Sequence, residues 1–228
     1  MTFLGKAKRA IRRGIDAALN RTPMCRHDVL TSLSIASGLG DSVWVLHGLA
    51  RSLRPEVCVE IGSARGKSTC FVGFALSENG SGKLYAIDPH CQTDWNDIDA
   101  VDSFDILHRN LAACGVSDFV EVLRDRSDVV AASWTRKIDI LFIDGDHSYE
   151  GVKRDWELFV PFVKPYGLVI FHDTIWDLRP NETGDRPEIG VPRFVDDLRK
   201  AGYPVLTMEK DFGVSIVQPT IGGQPLSR

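Results

Sequence analysis

The stretch Val57-Cys58-Val59-Glu60-Ile61-Gly62-Ser63-Ala64-Arg65-Gly66-Lys67-Ser68-Thr69 decides the fold. A short apolar run carries an acid, opens into a glycine-bearing turn, and passes directly into a helical pattern. Three further runs also end in acid: Leu84-Tyr85-Ala86-Ile87 into Asp88, Ile140-Leu141-Phe142-Ile143 into Asp144, and Leu168-Val169-Ile170-Phe171 into His172-Asp173. Runs apolar throughout, with helical patterns between them, read as parallel strands covered on both faces. The chain is therefore expected to be α/β, with a doubly wound, mostly parallel sheet. Ligands of such sheets bind beyond the carboxyl ends of the strands, so Glu60, Asp88, Asp144 and Asp173 are expected to line one crevice. Four carboxylates suit a cationic, hydroxyl-bearing ligand, a metal ion, or both. They do not suit a polyphosphate without a metal.

The pattern predicts strand 57–61, helix 66–78, a turn over 79–82, strand 84–88 and helix 101–114, closed by Gly115. Strand 119–123, a helix from Ser127, strand 138–143 and helix 149–163 follow, the last capped by Asp146 or Ser148. Pro165-Tyr166-Gly167 is expected to turn the chain into strand 168–172. Helix 190–201, closed by Gly202, leads to an antiparallel C-terminal hairpin of 204–208 and 213–217. Upstream, residues 27–53 read as one or two helices broken near Gly38-Leu39-Gly40, with Asp41 or Ser42 as N-cap. The expected organisation is an N-terminal helical layer over 1–53 and one ligand-binding domain over 54–228. Two loops on the ligand side are long enough to be functional: 89–100, with Asp94, Trp95, Asp97 and Asp99, and 175–189, with Trp176, Arg179, Asn181 and Arg186.

A net charge of −4 over 228 residues argues against general nucleic-acid binding. The five cysteines are odd in number and lack CxxC spacing, which favours a reducing, cytoplasmic setting over a disulfide framework. No apolar stretch approaches the roughly 20 residues that cross a bilayer. Residues 3–19 place Leu4, Ala7, Ile11, Ile15 and Ala18 on one helical stripe with Lys6, Lys8, Arg9, Arg12 and Arg13 elsewhere. This helix is expected to dock on its own domain or on a second subunit of a homo-oligomer, with peripheral contact to anionic lipid as the alternative.

Two nucleotide motifs must be set aside at the glycine turn. A P-loop needs four residues between its glycines, and only three separate Gly62 from Gly66. The dinucleotide fingerprint fails because Ser63-Ala64 stand where a second early glycine is needed. The spacing E-x-G-x-x-x-G (Glu60, Gly62, Gly66) resembles the first motif of class I S-adenosylmethionine-dependent methyltransferases, which implies a Rossmann-like fold and that cofactor. On this resemblance Glu60 holds the methionine end, usually through water or backbone groups, and Gly62 lets the backbone approach the cofactor. Ser63, Gly66 and Ser68 complete the loop, and Asp144 faces the cofactor as well. Asp88 accepts both ribose hydroxyls, and Asp125, Arg126 and Ser127 flank the adenine.

Ile143-Asp144-Gly145-Asp146-His147 and His172-Asp173-Thr174 carry a closer resemblance, to metal-dependent small-molecule O-methyltransferases of the catechol and caffeoyl-CoA kind. The longer phrase IDGDHSYEGVKRD with FHDT is similar to macrocin-type and cephalosporin-modifying bacterial relatives. The resemblance spans roughly residues 55–175 and implies Asp144, Asp173 and Thr174 as ligands of magnesium or another divalent cation. Thr174 stands where those enzymes carry an amide, which leaves His172 as a candidate member of the shell. The physical logic runs beside the family. Magnesium takes a few carboxylates plus waters and substrate, a bound cation acidifies a substrate hydroxyl, and His147 titrates in the range of a general base, with His172 as the alternative. The expected activity is methyl transfer to a hydroxyl of a small polar molecule such as a sugar or antibiotic. The rivals are a P-loop-like NTPase and a non-catalytic or hydroxylase-associated module of the same fold.

Overall fold

The computed structural model describes residues 30–31, 35, 37–91, 103–176, 189–221 and 224–225. The basic helix expected over 3–19 lies outside these residues, as do Asp94, Trp95, Asp97 and Asp99 of the first long loop and Arg179, Asn181 and Arg186 of the second. Contacts divide the chain into a unit Met1–Ser34 and a unit Ile35–Arg228; everything below concerns the second.

A 3-10 turn, Gly40–Ser42, leads into α1 (Val43–Leu53). The alternating core follows as β1 (Val57–Ile61), α2 (Lys67–Asn79), β2 (Lys83–Ile87), α3 (Ser103–Cys114), β3 (Val120–Leu123), α4 (Ser127–Ala132), β4 (Ile138–Ile143), α5 (Tyr149–Phe159) and β5 (Val163–His172). Helix α6 (Val191–Lys200) precedes β6 (Val205–Met208) and β7 (Val214–Val217), and a small separate ladder joins β8 (Thr220–Ile221) to β9 (Gln224–Pro225). The sheet has seven strands in the order β3-β2-β1-β4-β5-β7-β6. β7 runs antiparallel to both β5 and β6, and the other neighbouring pairs are parallel. The doubly wound sheet and terminal hairpin expected from the sequence are both present.

Burial on both faces explains why the central strands are apolar throughout. Val59, Ile61, Leu141, Ile143, Val169 and Phe171 point to one layer, where they meet Trp134 together with Trp156 and Phe159 of α5 and Phe194 and Leu198 of α6. The alternate residues point to the other layer, where Cys58 and Glu60 lie against Leu46 and Ala50 of α1 and Val72 of α2. Helix α2 is apolar nearly all round because it is enclosed, and Trp44 and His47 of α1 cover it by packing on Phe71 and Phe74. A helix so enclosed needs no polar face.

Two local expectations differ. Pro165-Tyr166-Gly167 does not end one element and begin another. The strand already starts at Val163, and residues 164–167 bulge out of the ladder between the Ile138–Val163 and Ile140–Leu168 pairs. The bulge puts Lys164 against Asp139 at 3.0 Å. Ser42 does occupy the N-cap position of α1, but its hydroxyl makes no cap bond; it turns instead to Asp211 of the β6–β7 turn at 3.0 Å.

Asp139 secures the entry to β1, because one carboxylate oxygen accepts from the backbone N–H groups of Glu56 and Val57, both at 2.9 Å. Asp139→Ala strands two donors and the Lys164 pair, so it should lower unfolding free energy by about 1–3 kcal/mol. A denaturant midpoint unchanged from the parent would show that water replaces the carboxylate at no cost.

Candidate active site

The register of the sheet aligns the strand ends. Ile61 of β1 pairs with Ile87 of β2 and with Ile143 of β4, and Ile143 pairs with Phe171 of β5. The next residue of each strand is therefore Gly62, Asp88, Asp144 and His172, in one row at the carboxyl edge. Between β1 and β4 the strand order reverses, which is where open α/β sheets form their ligand crevice.

The glycine turn is built by backbone approach. Gly62 has φ +91°, and a Cβ there would run into the carbonyl of Asp144. Its N–H donates to Ile87 at 2.9 Å, while the N–H of Asp144 donates to Ile61 at 2.9 Å. Gly62 was expected to spare room for a cofactor; the structure shows that it first spares room for the backbone of β4's exit. Gly66, at φ +87°, begins α2 where a Cβ would collide with Leu107. The N–H of Ala64 donates to Asp88 Oδ2 at 2.8 Å and that of His90 to Oδ1 at 2.7 Å, so Asp88 ties two loops together. A carboxylate has about four acceptor positions, and two remain for a ligand's hydroxyls. Ser63 is buried with its hydroxyl unpartnered. An orphaned buried hydroxyl at a crevice mouth is a fitting contact for a bound molecule.

Glu60 corrects the sequence reading. It lies inside β1, opposite Ala86 and Phe142, so its side chain points sideways under α2 and not out of the strand end. Ser68 donates to one carboxyl oxygen and Thr69 to the other at 2.6 Å. Burial raises its pKa to about 7, against the pull of those two hydroxyls. Glu60 and Ser68 thus hold the first turn of α2 onto β1, and neither is presented to a cofactor.

The acid–histidine cluster assembles at the ends of β4 and β5. His147 Nδ1 stands 2.9 Å from Asp173 Oδ2, and its Nε2 is 3.6 Å from Asp144 Oδ1. Burial works to lower the pKa of His147, but the hydrogen bond and charge of Asp173 and the charge of Asp144 outweigh it, and the pKa is raised. Asp144, His147 and Asp173 each offer one ligand atom within 4.8 Å of the others. Two carboxylates and an imidazole fit a divalent cation, manganese, iron or zinc as well as magnesium. Thr174 is buried beside them with its hydroxyl unpartnered. Asp173 itself has φ +59°, a left-handed conformation that costs a residue with a Cβ about 1–2 kcal/mol.

His172 is placed differently from the sequence expectation. Its Nε2 lies 2.9 Å from the carbonyl of Asp211, which can only accept, so this nitrogen carries a proton. Its Nδ1 lies 3.1 Å from Asp144 Oδ1 and 3.3 Å from Asp173 Oδ1. Burial acts to lower its pKa, but the charge and hydrogen bond of Asp144 prevail and raise it to about 9. Both nitrogens are committed, so His172 is neither a general base nor a metal ligand in this arrangement.

The residues after β3 sit at the neighbouring edge. Asp125 accepts from the N–H of Arg126 at 2.8 Å, and the Arg126 guanidinium pairs with Asp128 at 2.9 Å; Asp125 and Arg126 are exposed and Asp128 is partly so. Ser127 donates to Asp155 at 2.6 Å and so belongs to the α4–α5 packing instead of facing a ligand. Ser148 caps α5 by accepting from Gly151, as the sequence suggested. The sequence reading missed Asp211, whose signal was only an acid and a glycine in a hairpin turn.

A family model described as a methyltransferase domain matches residues 59–174, just over half of the chain. Over 66% of its length the chain is 27% identical to y4gI, an uncharacterised protein of Sinorhizobium fredii, of which the match takes in 18%. The chain spans under a fifth of the length of the curated relatives it matches. Among solved structures it is similar to the O-methyltransferase TomG from Streptomyces achromogenes, in complex with S-adenosylmethionine. That match has TM-score 0.63 and 18% identity, over 92% of this chain and 96% of that one. It is also similar to an O-methyltransferase from Bacillus cereus in complex with S-adenosylhomocysteine, with TM-score 0.61 and 16% identity over 90% and 97%. These likenesses show the Rossmann-like class I fold.

The His172 clamp has a measurable pH signature in metal-free protein. Its folded pKa of about 9 exceeds the ordinary 6.5, so its stabilisation is fully present below pH 6.5 and is lost as pH rises through 9. The shift corresponds to about 3 kcal/mol. Denaturant midpoints in EDTA should fall between pH 6.5 and 9, and His172→Gln should remove the larger part of that slope. A parent whose midpoint is flat over this window would refute the clamp.

Proposed function

The chain belongs to the methyltransferase-domain family, and on that premise we propose that it moves a methyl group from S-adenosylmethionine to a hydroxyl of a small polar acceptor. The observation that carries the reading is the Asp144–His147–Asp173 cluster in the same crevice as the Gly62 turn. The cofactor reading is supported by the remaining acceptor positions of Asp88 and the unpartnered Ser63 hydroxyl beside the Gly62 turn. Asp125 and Arg126, which follow β3, would flank the adenine.

Asp173 accepts from His147 Nδ1 and orients the ring, leaving Nε2 turned toward Asp144 as the nitrogen that takes the acceptor's proton. As that proton leaves, the acceptor oxygen forms a bond to the methyl carbon and the carbon–sulfur bond breaks, releasing S-adenosylhomocysteine. Most of the acceleration then comes from alignment of oxygen and sulfonium. A divalent cation held by Asp144 and Asp173, with Thr174 beside them, would lower the hydroxyl's pKa. A second arrangement is favoured by the mutual reach of the three donor atoms: His147 is itself a ligand, and the proton goes to solvent. A sugar or antibiotic hydroxyl suits the polar, acid-lined crevice.

Transfer of labelled methyl to a panel of hydroxylated acceptors, with calorimetry of S-adenosylhomocysteine, tests the whole reading. Asp144→Ala and Asp173→Ala should each abolish metal-dependent turnover while keeping much of the cofactor affinity, and EDTA should mimic them until magnesium or manganese is restored. His147→Ala should cost about 10²–10⁴ in turnover. Retention of bound metal in that variant marks His147 as the base, and loss of metal marks it as a ligand. Turnover indifferent to EDTA would remove the cation, and tight cofactor binding without transfer to any acceptor would favour a non-catalytic module.

A further inference from the structure

We propose that the β6–β7 turn, Asp211-Phe212-Gly213, is the positioning element of the acid–histidine cluster, with Asp211 as its anchor. Three consecutive carbonyls of this turn receive donors from the segment that bears Asp173. The carbonyl of Asp211 accepts from His172 Nε2 at 2.9 Å, that of Phe212 from the N–H of Ile175 at 3.1 Å, and that of Gly213 from the N–H of Thr174 at 3.4 Å. The carbonyls can point this way because all three turn residues are left-handed, with φ +53°, +65° and +89°. Left-handed backbone is unfavourable for a residue bearing a Cβ, and two of the three bear one. Such a conformation persists only where surrounding contacts over-determine it.

Contacts on both sides of the turn supply this constraint. Asp211 Oδ2 accepts from the N–H of Ser42 at 2.8 Å and lies 3.0 Å from the Ser42 hydroxyl, both at the start of α1. A Cβ on Gly40 would collide with the Asp211 carboxyl, and one on Gly213 would press on Thr174 and Ile175. Phe212 stacks on Trp176 with centroids 4.5 Å apart. The turn is therefore gripped by α1 on one side and grips residues 172–175 on the other. Asp173 is itself left-handed, and it reaches His147 from that conformation. A turn that relaxed would free the backbone of Thr174 and Ile175, let the His172 ring rotate, and misdirect the carboxylates of Asp144 and Asp173. Asp211 touches no reacting atom; it acts through His172 and the backbone.

The kinetic half of the test rests on the proposed methyl transfer; the exchange half does not. Asp211→Gly keeps the left-handed turn accessible but deletes the anchor, whereas Asp211→Asn keeps both an acceptor for Ser42 and tolerance of φ +53°. Asp211→Gly should lose about tenfold to hundredfold in turnover with S-adenosylhomocysteine affinity within about twofold, and amide exchange at Ile175 should speed up locally. Asp211→Asn should restore most of both. Lys210→Ala, at an exposed side chain that pairs with Asp41, should match the parent. Parent-level turnover and Ile175 exchange in Asp211→Gly would overturn the proposal, and so would exchange that quickens equally across the whole sheet, since that marks a merely structural loss. If Asp211→Gly does not fold, Ser42→Ala removes one of the two donors and should shift both readouts in the same direction by less; no shift overturns the proposal. A parent that transfers methyl to no acceptor, yet shows the Ile175 response, would sink the methyl-transfer reading and leave the positioning role standing.

Discussion

The backbone of Gly62 lies against the carbonyl of Asp144 with no room for a side chain between them. Everything that happens in the crevice is arranged around this approach. It occurs where β1 and β4 meet, at the point of the sheet where helices begin to cross on opposite faces and the strand ends diverge. Closing it requires a glycine, and the hydrogen bonds from Gly62 to Ile87 and from Asp144 to Ile61 hold the two exits in register. From that fixed pair, Asp88 is one strand away on one side and His172 one strand away on the other. The cofactor loop and the acid–histidine cluster are thus referenced to a single backbone contact.

Charge is managed in two ways along this edge. Glu60 and Asp88 are held by uncharged donors, hydroxyls in one case and backbone N–H groups in the other. Both therefore stiffen the glycine loop through hydrogen bonds from hydroxyl and backbone groups. Asp144 and Asp173 instead face the ring nitrogens of His172 and His147, with Asp173 and His172 buried and Asp144 and His147 partly open to the crevice. Removing any one member leaves an uncompensated group, which is the costly state for buried charge.

Much of this was legible in the residues. The strands declared themselves because both faces are buried, and no alternation with polar residues obscured the runs. The glycine loop, Asp144, His147 and Asp173 were legible because each follows directly on such a run, where topology alone directs it to the crevice. Glu60 was misread for a reason of one residue: a strand's last side chain but one points to a sheet face, and only the register with Ala86 and Phe142 reveals which. Ser127 was misread because its partner, Asp155, is distant in sequence. The role of His172 depends on a backbone carbonyl 39 residues away, which no local pattern encodes. The bulge at 164–167 imitated a turn, since proline and glycine serve both structures.

The central seam also bears on how the chain is made. β1 ends at Ile61, and the strand that completes its inner edge, β4, begins at Ile138, with β2, β3 and three helices between them. During synthesis β1 can pair with β2 early, but its other edge stays open until more than seventy further residues have left the ribosome. That open edge is Cys58-Val59-Glu60-Ile61, flat, apolar and rich in β-formers, the kind of segment that invites pairing with a neighbouring chain. Glu60 sits in the middle of it. Its carboxylate takes its hydroxyl partners from Ser68 and Thr69 of α2, made directly after β1, so this charge can be hydrogen-bonded well before β4 is available to close the edge.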